Sequence, residues 1–162
     1  MTNQNIPKKI LYWYDNNKRA LPWRKKVSKK KQEYFTLVSE FMLQQTQVKT
    51  VIPYFEKFIK EFPNLKSLAK SSDHKILKNW EGLGYYSRAR NLKKTAIKLL
   101  KDYKGELPED IETLKSLPGI GEYTSRSILA IAHNKPYIPM DGNVERILKR
   151  VFLLKTDYEI SK

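Results

Sequence analysis

The sequence predicts an all-α protein. Apolar residues recur at spacings of three and four along most of the chain, the period of a helix with one buried face. No stretch alternates apolar and polar residues as a half-buried strand would, and no fixed-length repeat is visible. Glycine and proline interrupt the pattern where short connections between helices would fall.

Ile10 to Asn17 reads as a short helix with Ile10, Leu11, Trp13 and Tyr14 on one face, broken by Leu21-Pro22-Trp23-Arg24. Lys25 to Lys31 reads as a basic, solvated loop. The pattern is helical from Tyr34 to about Thr46. A further helix from Val48 carries Val51, Ile52, Phe55, Phe58, Ile59 and Phe62, with Pro53 in its first turn, and stops at Pro63-Asn64. Leu65 to Ala69 forms one short turn of helix. Ser72-Asp73 caps the next, which turns Ile76, Leu77 and Trp80 inward. After the glycine-punctuated Glu81–Tyr86 turn, a helix from about Ser87 to Tyr103 sets Leu92, Ala96, Leu99 and Leu100 against a strongly basic side. Gly105 and Pro108 mark a loop, and Ile111, Leu114 and Leu117 define a short helix ended by Pro118. Gly119-Ile120-Gly121 is a tight turn into a helix from Glu122 to His133. The loop from Asn134 to Met140 leads to Asp141-Gly142-Asn143, which opens a last helix with Val144, Ile147, Leu148 and Val151 on one face.

At 162 residues, 40% of them hydrophobic and 12% aromatic, the chain can build one good-sized core. No apolar run reaches the roughly 20 residues needed to span a bilayer. The first residues carry no apolar segment of secretory type, so a soluble intracellular protein is expected. Lysine and arginine number 32 against 17 acids, a formal charge of +15. Such an excess favours a polyanionic partner, nucleic acid first among them, although a lysine-biased genome would raise the same count. The absence of cysteine excludes disulfides, thiol nucleophiles and cysteine-ligated metal or iron–sulfur sites within these residues. The two histidines, His74 and His133, stand far apart and without acids at ligand spacing, so no metal site is expected.

Three features carry chemistry. Glu40 is a lone carboxylate inside the apolar run Leu37–Leu43, followed by Gln44, Gln45 and Gln47. If buried, its pKa would rise and it could act as a general acid. The blander alternative is a partly exposed acid on the polar edge of a core helix. Leu117-Pro118-Gly119-Ile120-Gly121 lies between two helices. Glycines at both ends permit positive φ and a close backbone approach, and the second helix offers its N-terminus to a phosphate. This is the helix-hairpin-helix pattern, which grips DNA backbone without reading sequence. Asp141 precedes Gly142 at a helix start, where an aspartate is most often a cap.

The order and spacing of these stretches resemble the N-terminal part of adenine DNA glycosylases of the MutY type, within the helix-hairpin-helix base-excision superfamily. The matching segments are Leu21–Arg24, Ser39-Glu40, Met42–Val48, Val51–Phe55, Gly82–Leu92, Leu117–Gly121 and Asp141–Val144, spread over about residues 10 to 154. The resemblance implies a six-helix barrel domain over about 25–141, with its helix-hairpin-helix at about 111–133. An incomplete second helical domain would be represented by 1–24 and 142–162. It implies that Glu40 protonates a flipped adenine and that Asp141 stabilises the oxocarbenium-like sugar, a two-carboxylate division of labour. Tyr123 would hydrogen-bond this machinery, and Asn143 would orient Asp141 or water. Trp23, Arg24, Leu43 and Gln44 would contact the substrate base. Gln45 and Tyr85 would wedge into the duplex, where an exposed helix-end amide and a core aromatic are the plainer readings. Gly119, Ile120, Gly121 and Thr124 would hold the DNA backbone. Tyr123 stands where bifunctional relatives carry a Schiff-base lysine, which favours a monofunctional enzyme.

The expected function is excision of adenine mispaired with 8-oxoguanine or guanine from double-stranded DNA. A catalytically inactive DNA-binding remnant is the alternative. No cofactor is expected within the chain, since the family's iron–sulfur ligands are absent. A monomer in the bacterial cytoplasm, associated with the nucleoid and completed by a separate C-terminal fragment if by anything, completes the expectation. Truncated product, split gene and fragment stay open. Trp13, Tyr14 and their neighbours would then lack part of the surface that buries them.

Overall fold

The computed structural model describes residues 5–154, and those residues are helical without a strand among them. Helices α1 (Ile6–Asn17), α2 (Lys29–Leu43), α3 (Val48–Glu61), α4 (Leu65–Lys70) and α5 (Asp73–Trp80) fill the first half, with a 3-10 turn at Pro22–Arg24. Helices α6 (Ser87–Asp102), α7 (Ile111–Lys115), α8 (Glu122–Ala132) and α9 (Gly142–Phe152) follow.

Helix α2 is the axis of the fold. Every residue from Glu33 to Met42 is buried, because α3, α6, α8 and the Pro22–Arg24 turn pack around it. A helix enclosed on all sides needs apolar residues all round. Its sequence, Tyr34–Met42, meets that need apart from Thr36, Ser39 and Glu40. Two of those three are small hydroxyls that a helix can absorb, and Ser39 bonds back to the Thr36 carbonyl at 3.0 Å. Aromatic rings fix the packing on one side. Phe55 of α3 meets Trp23 and Phe35 edge-on, each at 5.3 Å, and Phe58 meets Trp80 at 5.8 Å.

Local chemistry sets several ends as expected. Ser72 caps α5 by accepting from Lys75 N–H, and Asn64 forms a reciprocal capping box with Ser67 on α4. Three expectations are corrected. Lys29–Lys31 form the first turn of α2 rather than loop. Lysine is a good helix former, and here Lys29 pairs with Glu109 at 3.5 Å while Lys31 lies 5.5 Å over the Phe35 ring. The same helix ends at Leu43, short of Thr46, because Gln45 takes a left-handed φ of 56°. Pro53 sits inside α3, beyond its first turn, which leaves the carbonyl one turn earlier, on the exposed Lys49, to water.

The first and last helices carry apolar faces that nothing in the described residues covers. Neither α1 nor α9 buries a single residue. Ile10, Leu11 and Trp13 are each about 60% exposed, and Ile147, Val151 and Phe152 are also open to solvent. Helical periodicity identifies an apolar face and says nothing about what covers it.

Candidate active site

Glu40 lies near the end of α2, three residues before Leu43, where the helix packs against α8. It is 8% exposed. Burial pushes its carboxyl above the ordinary glutamate range, against smaller opposing effects from a Ser127 hydrogen bond and the charge of Arg24. The plainer reading, an acid on a polar edge, is excluded by that burial. Cavities of about 500 Å³ (between α2, α4 and α6) and about 690 Å³ (against α1 and α3) do not include Glu40.

Asp141 is in the opposite state. It is exposed and caps α9, its Oδ1 accepting from the N–H groups of Asn143 at 2.9 Å and Val144 at 2.8 Å. Those donors, the Val144 N–H foremost, hold its carboxyl below the usual aspartate range. The capping reading and an ionised catalytic carboxylate are therefore the same geometry. Asn143 also bonds the Asp141 carboxylate through its side chain, while its Oδ1 accepts from Arg146 at 2.7 Å. Tyr123, at the start of α8, feels the charge of both acids. Burial, then Glu40, then Asp141 each raise the pKa of its phenol, so the hydroxyl stays neutral within reach of both carboxylates' fields.

The hairpin between α7 and α8 is tied to the same end of α2. Gln44 donates its side-chain N–H to Gly119 O at 3.1 Å and to the Thr124 hydroxyl at 3.4 Å. From α6, Thr95 donates to Pro118 O at 2.8 Å. Gly119 has φ of 81°, and a Cβ there would stand 2.8 Å from the Phe41 ring and 2.9 Å from Asn91. Of the two glycines that permit positive φ only Gly119 uses it, and Gly121 has φ of −99° as the N-cap of α8. Open space surrounds it, so its use is close approach rather than handedness. Ile120 is buried and its N–H is spent on Leu117 O. Thr124 is buried with its hydroxyl turned to Gln44, which leaves only its backbone N–H for a phosphate. Gly119→Ala combines a forbidden φ with a backbone-anchored clash. It is expected to lower stability by about 2–4 kcal/mol, read as a fall in thermal midpoint.

The remaining candidates surround this centre. Trp23 is 3% exposed and packs on Phe55, so little of the indole is free. Arg24 is exposed and donates to the Tyr14 hydroxyl at 3.3 Å. Leu43 is half-buried at the end of α2. Gln45 and Tyr85 are exposed, which removes the core-aromatic reading of Tyr85, and both adopt left-handed backbone, φ 56° and 48°.

Against this geometry, known proteins give a consistent comparison. The HhH-GPD superfamily of base excision DNA repair proteins matches residues 38–162. The chain belongs to that superfamily. Adenine DNA glycosylase of Buchnera aphidicola subsp. Baizongia pistaciae is 46% identical over 153 residues, 94% of this chain and 42% of the relative. That of Rattus norvegicus is 44% identical over 153 residues, 91% of this chain and 30% of the relative. The chain thus spans well under half the length of these relatives. A thermostable thymine-DNA glycosylase superimposes with a TM-score of 0.80 at 26% identity, over 90% of this chain and 66% of that one. Endonuclease III in a non-covalent DNA complex gives 0.75 at 22% identity over 97% and 72%, a likeness of fold.

One buried residue of this superfamily member escaped the sequence reading. Arg88 drew no role from its helix's pattern, yet it is 7% exposed and bonded to backbone carbonyls of two separate segments. A buried arginine on a lysine-rich helix leaves no periodic signal, since its neighbours Arg90, Lys93 and Lys94 share its charge. With no cysteine, these 162 residues offer no thiolate set for the iron–sulfur cluster that the resemblance implies for longer members.

Proposed function

We propose that the chain is a monofunctional DNA glycosylase that hydrolyses the N-glycosidic bond of adenine mispaired with 8-oxoguanine or guanine. The observation that carries the reading is the pairing of a buried acid, Glu40, with an exposed, hydrogen-bonded carboxylate, Asp141, across the Tyr123 phenol. Environments that push two carboxyl groups apart in pKa assign one as acid and the other as charge stabiliser.

The base is extruded from the stack, at an unstacking cost of a few kcal/mol. Glu40 gives its proton to a ring nitrogen of the adenine. The glycosidic bond then breaks with its electron pair passing to the base, which leaves neutral. The sugar carries the developing positive charge, and Asp141 stabilises it through space or by a transient bond to the anomeric carbon. Water adds to that carbon and gives up a proton, which restores the carboxyl of Glu40. A phenol at position 123 cannot form an imine with the sugar, so the product is an abasic site on an intact strand. Duplex binding rests on the +15 charge and on the hairpin N–H groups, and should weaken steeply with salt.

Incubation with a duplex holding adenine opposite 8-oxoguanine tests the reading. Free adenine should appear, with strand scission only after alkali. Scission without alkali would refute the monofunctional assignment, and no adenine from folded, DNA-bound protein would refute the activity. The latter outcome favours a second reading, a DNA-binding protein without catalysis. It draws support from α9, which holds Asp141 yet buries none of its own residues.

A further inference from the structure

Two exposed side chains in this protein are held in a backbone conformation that neither favours. Gln45 follows the end of α2, and Tyr85 lies in the turn before α6; their φ angles are 56° and 48°. Tyr85 is 61% exposed. Left-handed backbone at a residue with a Cβ persists only where the surroundings impose it. Left-handed residues also follow other helices here, at Lys104 and Leu153, so what sets Gln45 and Tyr85 apart is the contact beneath them.

It comes from one guanidinium. Arg88 Nη1 donates to the carbonyls of Phe41 at 3.2 Å, Met42 at 2.9 Å and Gln44, the last carbonyls of α2 and the residue just past it. Its Nη2 donates to Leu83 O and Gly84 O, both at 3.2 Å, in the turn that carries Tyr85. The two nitrogens of one planar group therefore face two chain segments far apart in sequence and fix the spacing between them. Carbonyls at a helix C-terminus lack intrahelical donors and favour a cation, which compensates the buried charge. The same guanidinium lies 5.6 Å from the Trp80 ring and 5.3 Å from that of Tyr85, and Trp80 Nε1 donates to Gly84 O at 3.1 Å. Tyr85 is thus held from its backbone and from its ring at once.

We infer that Arg88 is a positioning residue that locks Gln45 and Tyr85 into one rigid, two-pronged wedge for opening a DNA duplex. This rests on the proposed base-extruding activity and assigns that activity a part that neither prong could supply alone. A preformed pair enters the stack without the cost of ordering two loops at the moment of binding. Lysine cannot replace Arg88, because an ammonium is a point donor and cannot span two segments in one plane.

Two measurements on the full chain test this. Amide hydrogen exchange of Arg88→Lys should rise together at residues 44–46 and 83–86, by about tenfold, with the interiors of α2 and α6 unchanged. Arg88→Gln, which strands no charge in the same slot, is the second variant and should behave alike. In parallel, 2-aminopurine placed beside the adenine of an adenine–8-oxoguanine duplex should brighten with wild-type protein and stay quenched with both variants. Affinity for an undamaged duplex should change by less than about twofold, since phosphate contacts lie elsewhere. Loosening of only one segment, or unstacking by Arg88→Lys equal to wild type, overturns the role of Arg88. Loss of helical circular dichroism in both variants assigns Arg88 to folding and overturns it as well. Wild-type protein that leaves the probe quenched overturns base extrusion itself, and the wedge with it, before any substitution is considered.

Discussion

Glu40→Gln is expected to lower single-turnover adenine excision by about a thousandfold while leaving duplex affinity within a few-fold of wild type. The amide matches the carboxyl in shape and can keep a hydrogen bond to Ser127, but it has no proton to give. The substitution should not destabilise the protein at neutral pH. Burial raises the folded-state pKa of Glu40, so its contribution to stability is full below the ordinary glutamate pKa. That contribution is lost as pH rises through the raised value, where the buried group must ionise. Glutamine does not titrate. Thermal midpoints of variant and wild type should therefore converge in acid and separate in favour of the variant toward alkaline pH. An inactive variant that melts no lower than wild type would assign the loss to chemistry and not to folding.

Asp141→Asn is expected to reduce excision by about a hundredfold to a thousandfold, again with duplex binding retained. Asparagine is as good an N-cap as aspartate, so α9 should keep its start and only the negative charge facing the sugar is removed. The pH behaviour differs in sign from that of Glu40. Hydrogen bonds from Val144 and Asn143 hold the Asp141 pKa below its ordinary value. Its stabilising effect is present above the ordinary aspartate pKa and disappears as pH falls through the lowered one. Asp141→Asn should accordingly lack an acid-side loss of stability that wild type shows, measured by thermal melting between mildly and strongly acidic buffers. Equal excision by this variant and wild type would leave Asp141 as a cap alone.

Much of this site was legible before any coordinates, for reasons that differ residue by residue. Glu40 stood out because an acid within an apolar run contradicts its surroundings, and the enclosed α2 shows why: every neighbour from Glu33 to Met42 is buried. The Ser72 cap and the hairpin were readable because capping and turn chemistry are local. Asp141 was readable only as a cap; that Tyr123 feels its charge together with that of Glu40 follows from where the chain places the start of α8. The resemblance named Gln45 and Tyr85 as wedge residues, but no local signal shows that one side chain reaches the backbone beside both. That side chain is Arg88, more than forty residues from the α2 carbonyls it holds. Gly121 shows that a glycine marks a possible positive φ without requiring one. Periodicity foresaw the apolar faces of α1 and α9, whereas their exposure depends on what packs against them.

The dependence of the single-turnover excision rate on pH tests the central claim most directly. If Glu40 is a buried acid that protonates adenine, the rate should fall tenfold per pH unit above an apparent pKa higher than that of an ordinary glutamate. That titration should be missing from the residual activity of Glu40→Gln. A wild-type profile that stays flat from the ordinary glutamate pKa to neutral pH and beyond, or a Glu40→Gln variant with the same rate and profile as wild type, would contradict it.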